Sequence, residues 1–153
     1  MKKIGALLVF FVLSIGAFAQ LPNKAEKLAG TWEYKLRSGF ETIEIKEGVL
    51  NGVGYRVNQK TSDTSRVETI RMEKVDETLV YSMTTYNVVD ESVVPAVQKF
   101  VSSGRKLKFR NISAPTPCAI KYSFGFLNRN KMFIRVYHGP DAKPIKLTLT
   151  RRK

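Results

Sequence analysis

The sequence predicts an all-β protein, an antiparallel up-and-down barrel of about 8–10 strands with a short helical turn at its N-terminal side. Three observations carry this. From residue 30 onward, apolar and polar residues alternate with a period of two in run after run, and no stretch sustains a helical period. Gly, Pro, Asn, Asp and Ser interrupt these runs at intervals of about 8–12 residues, the rhythm of short strands and turns. Most connections are too short for crossovers, so strands adjacent in sequence should pair. A meander of that length closes more readily than it stays open, because closure removes exposed edges.

The strands follow a leader. Met1-Lys2-Lys3 is basic, residues 4–18 are almost wholly apolar, and Ala17-Phe18-Ala19 presents small residues at −3 and −1. That is the pattern of a secretory signal peptide cut after Ala19. The apolar run is shorter than the roughly 20 residues a membrane span needs. Export to the periplasm or the exterior follows, with residues 20–153 as one domain large enough for a real core. The single cysteine, Cys118, excludes an internal disulfide and reads as a small buried hydrophobe.

Within the domain, residues 21–29 suit a helical turn stopped by Gly30. Trp32, Tyr34 and Leu36 then alternate with Thr31, Glu33, Lys35 and Arg37, a half-buried strand that turns at Ser38-Gly39. Residues 40–46 form a second strand with Ile43 and Ile45 on one face, and Glu47-Gly48 turns again. In residues 49–59, Val53, Tyr55 and Val57 lie opposite Gly52 and Gly54. Two glycines on one strand face mark a bend or a close approach. Residues 60–65 are a loop, and 67–75 with 79–86 form a hairpin about Asp76-Glu77. After the connection 87–95, strands at 97–101 and 106–112 flank Ser102-Ser103-Gly104. Prolines 115 and 117 exclude a central strand. Ile120, Tyr122, Phe124 and Phe126 alternate in the next strand, residues 132–138 follow the Asn128–Asn130 turn, and 145–151 form the last.

Gly30-Thr31-Trp32 at the head of the first strand resembles the Gly-x-Trp entry of lipocalins and the wider calycin group. In those families the tryptophan packs under an arginine near the C-terminal end of the barrel. Here Arg151 continues the inward register of Ile145, Leu147 and Leu149, whereas Arg152 falls on the polar face. The resemblance thus assigns Gly30, Trp32 and Arg151 to barrel closure. The chain is more closely similar to small exported bacterial lipocalin-like proteins of unknown function. The likeness lies in Leu28-Ala29-Gly30-Thr31-Trp32, Phe40-Glu41, Leu50-Asn51-Gly52-Val53-Gly54-Tyr55 and Glu68-Thr69-Ile70-Arg71-Met72. Those proteins often carry His-Asp-Phe-Pro before the strand that here begins near Ala119. This chain has Ala114-Pro115-Thr116-Pro117-Cys118 instead, so no role of that histidine or aspartate is carried over.

Two acids stand in inward register: Glu41 with Ile43 and Ile45, and Glu68 with Ile70 and Met72. An isolated charge in an apolar interior is very costly, so each must be paired, protonated or solvated by a cavity. A ligand-binding barrel would use Glu41 and Glu68 as polar anchors, with Tyr55, Tyr122 and Met72 lining the cavity. The alternative is a carboxylate at the wet rim, or one paired with a base such as Arg56. Nothing fixes the separation that acid/base catalysis would need. Counting back from the Asn128–Asn130 turn places His138 opposite Ile120 and diagonal to Cys118, roughly 7–8 Å away between Cα atoms. Papain-type chemistry would also need an oxyanion hole and an orienting residue, and no feature supplies them. No metal-ligand spacing, nucleotide loop or Gly-x-Ser-x-Gly motif occurs, so no enzyme activity, metal or cofactor is assigned.

The formal charge of +13 becomes +11 once Lys2 and Lys3 leave with the leader, and it is unevenly spread. Residues 20–98 carry ten Lys/Arg against twelve Asp/Glu, whereas residues 99–153 carry fourteen against Asp141 alone. Lys106, Lys108 and Arg110 share a face, and Lys121, Arg135 and Lys146 follow from later strands. Adjacent strands would gather them into a basic outer patch, either simply solvated or facing an anionic envelope component, whether lipid, glycan or protein. Nucleic acid is not expected, since export removes it and no stacking aromatics interleave with these charges. The expected partner inside the barrel of a monomer is a small hydrophobic or amphipathic molecule.

Overall fold

The structure, a computed structural model, describes residues 20–94, 98–103, 107–111, 118–125, 128–139 and 141–153. The leader, Lys106, Phe126 and the segment 114–117 lie outside the described residues. No helix among the described residues is long and apolar enough to cross a membrane.

A four-residue helix, α1 (Asn23–Glu26), precedes ten strands: β1 (Gly30–Tyr34), β2 (Gly39–Lys46), β3 (Val49–Val57), β4 (Thr64–Val75), β5 (Thr78–Thr85), β6 (Gln98–Ser103), β7 (Lys108–Asn111), β8 (Cys118–Phe124), β9 (Lys131–His138) and β10 (Ile145–Arg151). Each pairs antiparallel with its neighbour in sequence, and β1 pairs with β10, closing the barrel. The expected up-and-down barrel is the fold.

Because every connection joins neighbours, connections alternate between the two ends. One end holds α1 and the tight turns at Glu47-Gly48, with both residues at positive φ, and Asp76-Glu77, with Asp76 at positive φ. The N-terminal segment plugs this end: Leu21, Ala25 and Leu28 are buried in the same cluster as Trp32. The other end carries the longer connections, residues 35–38, 58–63 and the stretch after β5. This is the open end.

The closure predicted from Gly30, Trp32 and Arg151 is present. Trp32 and Arg151 are register partners, and the guanidinium lies 4.2 Å from the indole centroid. The indole N–H donates to the Leu28 carbonyl at 2.7 Å. Arg151 donates in turn to the carbonyls of Ala29 (2.5 Å) and Lys27 (2.9 Å), binding the chain's beginning to its last strand. Gly30 is at φ 127°, and a Cβ there would collide with the Arg151 guanidinium. Arg152, on the polar face as expected, pairs with Glu33 at 2.9 Å.

Several boundaries differ from the sequence expectation. β1 ends at Tyr34, and Leu36 is 88% exposed in the turn that follows. Strand alternation had continued into a loop whose leucine faces outward. β6 runs through Ser102 and Ser103, which were expected to turn. In β3 the buried positions are Leu50, Gly52 and Gly54, so Tyr55 belongs to the outer face, where its ring stacks on Phe40 with centroids 4.9 Å apart. The glycines are small because of a close approach rather than a bend. A Cβ on Gly52 would strike Ile70, and one on Gly54 would stand 2.7 Å from Glu68 Cγ. The β8–β9 register is also displaced by two residues from expectation. Cys118 lies directly opposite His138, and Ile120 faces Val136.

Candidate functional site

Registers bring Glu41, Gly54 and Glu68 into one row across β2, β3 and β4. Both acids point inward, as their shared register with Ile43 and Ile70 requires. A β-bulge follows at once: Gly54 faces Glu68 but Tyr55 faces Arg66, leaving Val67 without a register partner on β3. The extra residue turns the end of β4 outward without moving Glu68 from the interior. Gly54, lacking a Cβ, gives the Glu68 side chain its path across the barrel wall.

The two carboxyls have different surroundings. Glu41 is 1% exposed, and its Oε2 is buried without a hydrogen-bond partner. Burial and, to a lesser degree, the nearby Glu68 push its pKa up to about 8 against the opposing charge of Arg37. Glu41 therefore carries its proton at neutral pH, which is how an apolar interior tolerates it. Glu68 is half-buried and faces the open end. Burial raises its pKa, while Arg37 and a 3.5 Å hydrogen bond from the Tyr34 hydroxyl lower it. Tyr34 is itself held in the phenol form by burial and by both acids, with the Arg37 guanidinium 4.2 Å from its ring centroid. Deeper in the barrel, the Tyr81 and Tyr122 hydroxyls hydrogen-bond each other at 3.1 Å, and burial keeps both phenols protonated. Glu41, Tyr81 and Tyr122 thus form a polar layer inside the barrel that is uncharged at neutral pH.

Above Glu68 lies a cleft of about 1000 Å³ that opens between the β1–β2, β3–β4 and β5–β6 connections. Tyr34, Val57, Val67, Thr85 and Val88 give it apolar and hydroxyl walls, Glu68 forms its floor, and Arg37, Arg56 and Lys60 stand at its margin. Its size is at the upper end of small-molecule sites, and its lining is mixed, with Ser38, Asn58, Gln59 and Ser65 joining the charged groups beside the apolar wall. A shallower groove of about 800 Å³ shares Tyr34, Arg37 and Val57 but runs outside the wall past Glu33, Phe40 and Arg152. It contains none of the buried acids.

Of the residues expected to meet a ligand, Glu68 and Tyr55 border the cleft. Tyr55 does so from the outer side of the wall rather than from the interior. Glu41 lies beneath, coupled to Glu68 but not lining it. Met72 (0% exposed) and Tyr122 (6%) are core residues packed away from the cleft, a correction to their expected place in its wall. Sequence reasoning missed Arg37, Lys60 and Val67. Their signal was the unequal loop lengths, which mark one end as the mouth and assign it these residues.

The Cys118 thiol and His138 Nδ1 are 3.6 Å apart at the same end of the barrel. They touch directly rather than diagonally, and among the described residues neither has a second side-chain partner. No three His, Cys, Asp or Glu side chains among the described residues come together as a metal site would need. No protein-family model, curated protein or solved structure matches the chain.

Proposed function

We propose that this protein is an exported, monomeric lipocalin-like binder that holds a small, mainly apolar molecule in the open end of its barrel. The observation that carries the reading is the cleft over Glu68: it is large enough for a ligand, apolar along part of its wall (Tyr34, Val57, Val67 and Val88), and floored by a carboxyl and a phenol. The Glu68 carboxyl and the Tyr34 hydroxyl would offer hydrogen bonds to a polar group of the ligand. Arg37, Arg56 and Lys60 at the margin favour an amphipathic molecule with an acidic head. The entrance is itself apolar. Leu36, Val88, Val89, Val93, Val94 and Ile145 are exposed at this end, against Val75 alone at the other among the described residues. Such a concentration marks a binding surface. The leader-like residues 1–19, the single cysteine and the Gly30-Thr31-Trp32 likeness support export and the family reading.

Titration with the amphipathic fluorophore anilinonaphthalene sulfonate tests the site. We expect saturable binding with one equivalent per barrel, weakened about tenfold or more by Glu68→Ala, a loss on the scale of one hydrogen bond. Unsaturable binding, or binding indifferent to Glu68→Ala and Arg56→Ala alike, would remove the cleft from consideration.

A further inference from the structure

The outer wall opposite the cleft carries a second feature. Lys108 on β7 lies directly across from Lys121 on β8, Lys121 from Arg135 on β9, and Arg135 from Lys146 on β10. All four are on the outer face, because their strand neighbours Phe109, Ile120, Ile134 and Leu147 point inward. Arg110 adds a fifth cation two residues along β7, beside Ala119. Like charges placed directly opposite one another across strands destabilise a sheet, and here three such pairs follow in succession.

The remaining wall is built differently. Lys46 pairs with Glu44 at 3.1 Å, Arg71 with Glu73 at 2.9 Å, Lys74 with Glu77 at 3.7 Å and Arg66 with Glu91 at 3.6 Å. Among the described residues, no acid lies within ion-pair distance of Lys108, Lys121, Arg135 or Lys146. Asp141 is the only acid in residues 99–153. The uncompensated charge is therefore a row, fixed by strand register, whereas the strand cations Lys46, Arg66, Arg71 and Lys74 each have an acid beside them.

We infer that the outer face of β7–β10 binds an acidic glycan, laid across the strands along Lys108, Lys121, Arg135 and Lys146. Neighbouring cations are separated by the interstrand distance, so the backbone row spans about 14 Å at about 4.8 Å per step. That step is close to the length of one pyranose unit, so a chain with one carboxylate or sulfate per sugar meets one cation per residue. The flanks suit sugars as well. Ser123, Phe133 and Thr148 form the next row on one side, and Tyr137 stands beside Ala119 on the other. Half-buried aromatic rings offer flat faces to sugar C–H groups, and hydroxyls offer hydrogen bonds. A lipid surface is served less well. Apart from Ile145 at the barrel rim, the exposed large apolar side chains among the described residues lie on loops or, for Val75, at the end of β4, away from this face. A line of charges also gives no advantage over a scattered patch on a fluid bilayer.

The test compares two double variants of equal charge change. Lys121→Gln with Arg135→Gln breaks the row at its centre, and Lys46→Gln with Lys74→Gln removes two cations from the opposite wall. Binding of a polygalacturonate decamer is followed by calorimetry across a salt series, with a circular-dichroism melt of each variant as the check on folding. The row variant should bind roughly tenfold more weakly. Its dependence of log Kd on log salt should be shallower by roughly one to two units. The control should stay within about threefold of wild type. Equal losses in both variants would reduce the effect to net charge and overturn the assignment. So would failure of the decamer to bind, or tighter binding to phosphatidylglycerol vesicles that the decamer does not displace, which would make the face a membrane surface.

Discussion

At the closed end of the barrel the polar groups of Trp32 and Arg151 are matched. The indole N–H has the Leu28 carbonyl, and Arg151 divides its donors between Ala29 and Lys27 while its charge rests on the indole face. Directly opposite Trp32 on β2, Glu41 is as deeply buried yet leaves Oε2 without a partner. Glu68 makes only a long bond from Tyr34. The first region gains stability from burying polar groups with full satisfaction, and the second accepts their cost beside a cleft. Packing that serves only stability would not leave two coupled carboxyls under an opening, which is why the candidate site lies there and not at the tryptophan.

Substitutions at the two ends should therefore separate stability from binding. The largest effect belongs to Trp32→Ala, which removes a fully buried indole and strands Arg151. A loss of about 3–5 kcal/mol is expected in urea denaturation followed by circular dichroism. Where the variant remains folded, its affinity for anilinonaphthalene sulfonate should stay within a few-fold of wild type. Near-native stability with lost probe binding would move the site to the closed end.

Glu41 supplies the next contrast, through pH. Folded Glu41 keeps its proton up to about 8, whereas an unfolded glutamate releases it near its ordinary value of 4.5. Between those values the native state binds the extra proton, so stability is greatest below the window and falls as pH rises through it. The fall should amount to a few kcal/mol, to which the raised pKa of Glu68 adds in the same direction. Glu41→Gln, which cannot ionise, should flatten this slope and be the more stable protein at pH 8.5. Parallel pH profiles for the two proteins would show that Glu41 is already ionised and compensated at neutral pH.

The paired glycines of β3 sharpen the same division within one strand. Gly52→Ala drives a Cβ into Ile70 and should cost about 1–3 kcal/mol with little change in probe affinity. Gly54→Ala meets the flexible Glu68 side chain, which can swing away. That variant should lose less stability and more probe binding. The smallest effect on folding is expected for Leu36→Ser with Val89→Ser, both residues being almost fully exposed. Melting should stay within about 0.5 kcal/mol of wild type while the probe's association rate falls. An unchanged rate would remove these side chains from the entrance.

Much of this architecture could be read from period-two alternation. Trp32, Glu41, Glu68 and Arg151 sit where counting along each strand placed them, because no bulge interrupts the register between them and the strand centres. Tyr55 misled for a definite reason. The inward face of β3 carries Gly52 and Gly54, so the outer residues Val53, Tyr55 and Val57 are the more apolar set and imitate a core face. Met72 and Tyr122 were correctly inward but too deep, since alternation gives the side of a strand and not the height along the barrel. The Cys118–His138 register depended on how many residues the β8–β9 turn consumes, which strand patterning does not fix. Arg37 and Lys60 lie in loops, where alternation carries no signal and only the difference in loop length between the two ends points to them.

The central claim is that the open end holds a ligand, and native mass spectrometry of the freshly purified protein tests it most directly. Each barrel should carry a single small-molecule adduct that is displaced by anilinonaphthalene sulfonate and depleted in Glu68→Ala, but retained in the Lys46→Gln, Lys74→Gln control. An adduct-free protein that neither acquires anilinonaphthalene sulfonate stoichiometrically nor distinguishes Glu68→Ala from wild type would contradict it.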